Sequence, residues 1–101
     1  MKQLVLIVSA TVYQALTDHL RALDVTGFTV SHVEGHESHT SGDQFLSGRD
    51  RVVGFVPRVR VDIVLSAEQA DSVLEAIRTP GSALAGHGTY WMSTIEDVGQ
   101  F

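Results

Sequence analysis

The chain contains no cysteine. That excludes a disulfide scaffold, a thiolate metal site and a cysteine nucleophile. It has only two prolines, Pro57 and Pro80, so long stretches are free to form ladders and helices. Lys and Arg number 7 against 12 Asp and Glu, a net charge of −5. A chain short of cations lacks the basic face that general nucleic-acid binding requires, so no nucleic acid is expected as a partner. Long apolar runs are also missing. The longest candidate, Leu4-Val5-Leu6-Ile7-Val8, is far short of the ~20 residues of a membrane span. It carries no cleavage pattern of a secretory leader, so a soluble cytoplasmic protein with no direct membrane insertion is expected.

What remains is a globular composition in 101 residues, enough for a single domain over 1–101. A domain of this size buries only about 60–68% of its unfolded surface and has little room for a deep private pocket. A ligand site shared between subunits is therefore expected.

Residues 2–9 read as a strand that is apolar on both faces: Leu4, Leu6 and Val8 on one, Val5 and Ile7 on the other. Val12, Leu16, Leu20 and Leu23 recur at helical spacing, which predicts a helix over 11–24 capped by Ser9 or Thr11. A second strand is expected over about 28–34. Residues 35–54 then lose all apolar periodicity and are rich in turn formers. A loop of that length in a small domain points to function. Over 55–65, Val59, Val61, Ile63 and Leu65 alternate with Arg58, Arg60, Asp62 and Val64, the pattern of a third strand. Ser66 and Gln69 have capping-box spacing before a helix striped by Ala70, Val73, Leu74 and Ile77. Pro80-Gly81 ends that helix, residues 80–88 form a second loop, and 89–92 predict a short fourth strand. The order is βαββαβ, an α+β ferredoxin-like fold with a long loop between strands 2 and 3.

Among chemistry-bearing residues, His32, His36 and His39 suggest a metal cluster. On an extended strand, however, His32 and His36 would stand about 13 Å apart. His36 and His39 could meet only in a folded-back loop. Ser, His and Asp are present, but no nucleophile elbow is. No Walker or Rossmann glycine pattern occurs either, and no enzyme is expected. Gly86-His87-Gly88 is the one short glycine motif, able to turn N–H donors toward an anion or simply to make a tight turn. Arg58 and Arg60 share a strand face, suited either to an anion or to ion pairs with Asp62 or Glu34.

Three separated segments resemble the PII signal-transduction family. The stretch Arg51-Val52-Val53-Gly54-Phe55-Val56-Pro57-Arg58-Val59-Arg60-Val61-Asp62-Ile63-Val64 resembles the family's VVDFLPKVKIEIV exit from its long T-loop. Upstream, Thr26-Gly27-Phe28-Thr29-Val30-Ser31-His32-Val33-Glu34-Gly35 resembles TGMTVTEVKG. Downstream, Gly86-His87-Gly88-Thr89-Tyr90-Trp91-Met92-Ser93 resembles the GDGKIFVSP of the B-loop exit.

The resemblance implies a homotrimer with an adenine nucleotide in clefts between neighbours. It also implies a T-loop, here about residues 36–54, that engages a protein partner such as a transporter. The B-loop would span about 80–88. The nucleotide-binding set it implies is Thr29 and Val64 beside the base, Gly35, His36, Glu37 and Arg58 at the T-loop base, and Gly86, His87, Gly88 and Thr89 at the phosphates. Departures are informative. His87 replaces an aspartate and Thr89 a phosphate-binding lysine; Glu37 and Ser38 stand where the family has glycine and arginine. Arg58 replaces a lysine and His39 a glutamine, against the usual 2-oxoglutarate and Mg²⁺ response. Arg51 and Arg49 replace a tyrosine and a serine that are modified in some members. An arginine-bearing segment of typical members is not found before Phe101. Together these point to AMP or ADP rather than ATP, and to divergent PII-like proteins. One such group is linked to carboxysomes or bicarbonate transporters and binds AMP or ADP with bicarbonate. The other is short and accompanies heavy-metal efflux pumps, with C-termini like Tyr90 to Phe101; there a metal-responsive role through His36 and His39 is the alternative reading.

Overall fold

The computed structural model describes residues 1–36 and 56–101. Four strands, β1 (Lys2–Ser9), β2 (Thr29–Gly35), β3 (Val56–Leu65) and β4 (Gly88–Thr94), form one sheet in the order β2-β3-β1-β4. Every paired neighbour is antiparallel. It follows that β1 runs parallel to β2 and β3 to β4, each pair joined over the sheet by one helix: α1 (Tyr13–Ala22) and α2 (Ala67–Arg78). This is the ferredoxin-like arrangement expected from the βαββαβ order.

Both helices cover the same sheet face. Leu4, Leu6 and Val8 of β1 and Val59, Val61, Ile63 and Leu65 of β3 meet Leu16 and Leu20 of α1 and Ala70, Val73 and Leu74 of α2 in a single buried cluster. Leu4, Leu16, Leu20 and Val61 are fully inaccessible to solvent. Burying a side chain of this size contributes about 1.5–3 kcal/mol. The opposite face carries Gln3, Val5 and Ile7 of β1 beside Arg58, Arg60, Asp62 and Val64 of β3. Val5 is almost completely buried even there, whereas Val64 is 44% exposed. The second apolar face of β1 is thus real, and Trp91 of β4 and Asp62 of β3 pair across from Val5 on it.

Local boundaries differ from the sequence reading where short-range chemistry outweighs periodicity. Residues 10–12 form a 3-10 turn, and the α-helix begins only at Tyr13. The Ser9 hydroxyl caps that turn, accepting from the Thr11 N–H. The helix ends at Ala22 because Asp24 takes the left-handed conformation, with φ +60°. That turn sends Val25 back into the core. β4 runs from Gly88 to Thr94, longer than the 89–92 expected from the sequence. It is an edge strand exposed along its length, so no burial pattern marked its ends.

The capping box at α2 forms as its spacing predicts. The Gln69 N–H donates to the Ser66 hydroxyl at 3.1 Å, and the Ser66 N–H donates to the Gln69 side-chain carbonyl at 3.3 Å. Ser66→Ala is expected to lower unfolding stability by about 1 kcal/mol in urea titration. An unchanged midpoint would show that the reciprocal cap contributes nothing.

Candidate functional site

The strand register sorts the sequence-derived set into two groups. At one end of the sheet, Gly35 pairs with Val56 and Arg58 pairs with both Val33 and Ser9. Gly88 lies against Val8 and Thr89 against Ile7 at the same end. The Ser9 N–H donates to the His87 carbonyl at 2.9 Å, which draws the Gly86-His87-Gly88 turn to this corner. Thr29 sits opposite Asp62, and Val64 opposite Gln3, toward the far end. At ~3.3 Å per residue, Thr29 lies about 20 Å from Gly35 along β2, and Val64 about 20 Å from Arg58 along β3. The register therefore places Gly35, His36 and Arg58 at the same end of the sheet as Gly86, His87, Gly88 and Thr89, on opposite sides of β1, and sets Thr29 and Val64 toward the other end. Glu37, Ser38, His39, Arg49, Arg51 and nearly all of the loop expected over 36–54 lie outside the described residues.

Two of the glycines at the corner are required by close approach. A Cβ on Gly88 would run into the Ile7 carbonyl oxygen and lie 2.9 Å from Val8 Cγ1. A Cβ on Gly35 would come within 2.9 Å of Arg58 Cγ. The Arg58 side chain thus lies along the β2 backbone, and the residue is only 7% exposed. Gly86 has φ +84°, the left-handed conformation that lets the turn close onto β1. What assembles here is a corner of small residues and backbone N–H groups beside a buried arginine. That chemistry suits an anionic group approaching the main chain closely.

Arg60 behaves differently. Its Nε donates to Asp62 Oδ2 and its Nη2 to Asp62 Oδ1, both at 3.0 Å. Its guanidinium also lies 5.6 Å from the centre of the Trp91 ring. Gln3 Nε2 adds a long donation to Asp62 Oδ1 at 3.5 Å. Of the two uses open to Arg60 in sequence, the ion pair is the one formed. The hydrogen bonds from Arg60 hold the Asp62 carboxyl below its ordinary value, and partial burial opposes this only in part. The Trp91 stack was not legible in sequence, because it needs β4 and β3 placed on either side of β1.

Of the three histidines of the metal reading, His32 and His36 lie within the described residues. His36 Nε2 lies 3.0 Å from Glu34 Oε2 in an exposed pair. Among the described residues no three His, Asp or Glu side chains gather to hold a metal ion. His39, the second ligand of the metal reading, lies outside them.

Two outcomes test this geometry. Gly88→Ala should lower stability by about 1–3 kcal/mol, the usual cost of overpacking, in urea titration; a neutral result would contradict the close approach to β1. For Asp62 the folded-state pKa is depressed, so its stabilisation is present above the unfolded value near ~3.9 and is lost as pH falls through the lower folded value. Asp62→Asn should flatten this acid limb of the stability profile. An identical acid slope in the variant would exclude the Arg60 pair as its source.

Comparisons with known proteins agree along nearly the whole chain. The family model described as "Protein of unknown function (DUF3240)" matches residues 1–101. A "Nitrogen regulatory protein P-II" of Rhizobium meliloti is 29% identical over 99 residues, covering 97% of this chain and 88% of that protein. One of the same description from Rhizobium leguminosarum bv. viciae is 34% identical over 73 residues, covering 71% of this chain and 66% of that protein. "Nitrogen regulatory protein P-II 2" of Methanothermobacter thermautotrophicus is 26% identical over 99 residues, covering 97% and 86%. The chain belongs to the DUF3240 family and is a divergent PII-like protein.

Proposed function

We propose that this protein is a regulatory signalling module, not an enzyme, that binds AMP or ADP in clefts between the subunits of a homotrimer. The observation that carries the reading is the split of the candidate residues along one sheet face. Thr29 and Val64 stand too far from Gly35, Arg58 and Gly86–Thr89 for one chain to close both groups around one small ligand. Two chains, each offering one end of its sheet, would complete the cleft. The open face of the sheet, with exposed Val64 of β3 and Trp91 of β4, is the surface such a neighbour would cover. Relatives described as nitrogen regulatory proteins, matched over 97% of the chain, support the regulatory role.

Within the cleft, Val64 and Thr29 of one subunit would flank the base. Gly35, His36, Glu37 and Arg58 of the next would meet the phosphates together with Gly86, His87, Gly88 and Thr89. His87 and Thr89 add no fixed cation, so a monophosphate or diphosphate suits the cleft better than a triphosphate. Bicarbonate or another small anion fits beside Arg58 as a co-ligand. Occupation of the cleft would shift the population of the 36–54 loop, which in turn would engage a partner such as a transporter. No helix among the described residues is long and apolar enough to cross a membrane. The reading places the protein in the cytoplasm, acting on its partner from there.

Calorimetry with AMP, ADP and ATP, each with and without bicarbonate, tests the ligand. Binding of AMP or ADP tighter than ATP is expected, and no heat with any of them at millimolar concentration would overturn the nucleotide reading. Val64→Glu and Thr89→Glu, both at exposed positions, test the sharing. Each should abolish binding alone. A co-refolded equimolar mixture should recover about a quarter of the clefts by random assembly of a cyclic trimer. A mixture that stays silent while both variants fold would exclude the shared cleft.

A further inference from the structure

On the helix-covered face, behind the Gly86–Thr89 turn, lies a cavity of about 240 Å³. Its origin is local. α2 stops at Arg78, and Gly81, with φ +88°, turns the chain back. Residues 82–87 then wind through short-range bonds: the Ser82 N–H to the Thr79 carbonyl at 3.0 Å, and the His87 N–H to the Leu84 carbonyl at 3.1 Å. This winding drives Leu84 into the core, where it is 3% exposed. Its neighbours Ala85, Gly86 and Gly88 have little or no side chain to fill the space between the loop, the end of α2 and the sheet.

The floor of the cavity is apolar: Leu6 and Val8 from β1, Ile77 from α2, and Leu84. The rim is not. Arg78 and Tyr90 stand at it, with Arg78 Nη1 donating to the Tyr90 hydroxyl at 3.0 Å and the guanidinium 5.7 Å from the ring centre. The ring and hydroxyl fix the direction of the guanidinium. A guanidinium carries five N–H donors, and the tyrosine takes one of them. An apolar hole with an oriented cation at its mouth recognises one kind of molecule, an apolar body ending in a carboxylate. A dry apolar cavity of ~150 Å³ admits benzene, so the space here suits a body of about six to eight carbons.

We propose that this cavity is a second small-molecule site, for a monocarboxylate with a compact apolar body that inserts between α2 and the sheet and pairs its carboxylate with Arg78. It borders the residues proposed above for the nucleotide, since Gly86, Gly88 and Thr89 also line it. Its apolar floor lies on the helix-covered face, where Leu6 and Tyr90 are register partners, while Arg58 belongs to the open face. The carboxylate site does not rest on the nucleotide reading, and its test below uses no nucleotide.

The test is methyl NMR on the full chain, titrated with hexanoate and, in parallel, with hexan-1-ol and hexylammonium as probes of equal apolar body. Hexanoate is expected to shift the methyls of Leu6, Val8, Ile77 and Leu84 saturably, and the alcohol and the amine to bind about tenfold or more weakly, as befits one charge-assisted pair. Arg78→Gln should bring hexanoate down to the level of the alcohol. Ile77→Phe, which fills the hole from its wall, should abolish the shifts for all three. Equal binding of the three probes, hexanoate binding unchanged in Arg78→Gln, or shifts only at methyls of the other sheet face would each overturn the proposal. So would cavity methyl shifts that follow protein dilution without any probe, since they would assign the space to a second copy of the chain.

Discussion

The register of β1 between β3 and β4 is the constraint on which the rest of this molecule depends. β1 is paired on both sides, Val8 with Val59 and Gly88, Leu4 with Ile63 and Met92. A slip of one residue would carry Leu4, Leu6 and Val8 out of the helix-covered core and put Gln3 and Ile7 into it. The same slip would unseat Gly88 from the one place where its missing Cβ is needed. Core, ion pair and corner are thus set by a single alignment, and the hydrophobic pattern of eight residues enforces it.

The two faces of this small sheet offer different chemistry. The helix-covered face is apolar and offers a hole where the α2–β4 connection is made of small residues. The other face is polar toward its edges, with Arg58 buried at one end and the Arg60–Asp62–Trp91 arrangement nearer the middle. In a chain of net charge −5, long-range attraction for anions is weak and is screened beyond roughly 8 Å at physiological salt. Recognition of an anion by such a chain would have to rest on short-range donors held in place, and Arg78, bonded to the Tyr90 hydroxyl, is one such group.

Much of the fold was legible in the residues themselves. β3 announced itself by strict alternation, α2 by its Ser66–Gln69 box, and β1 by apolar residues on both faces. The start of α1 was misplaced because Ser9 and Thr11 favoured a local 3-10 turn over helical continuity. The ends of β4 were misplaced because an exposed edge strand leaves no burial signature. In the candidate site, the glycine motif was visible but not its reason, since the Ile7 carbonyl that excludes a Cβ is some eighty residues away in sequence. Likewise, the Arg60–Trp91 contact joins strands that only the sheet order brings together, and the Arg78–Tyr90 contact depends on how the connection between α2 and β4 turns back.

Gly88 also says something about how this protein can change over generations. Every single-base change in a glycine codon that alters the residue adds at least a Cβ, and here that atom meets the main chain of β1. A backbone oxygen in the central strand cannot swing aside as a side-chain tip can. Variation arising at this codon therefore carries a cost in stability whatever its effect on ligand. Its neighbours His87 and Thr89 have no such collision to avoid, so the chemistry of the turn can drift around a fixed point. Change at this turn is thus expected to fall more easily on those flanking residues than on the glycine between them.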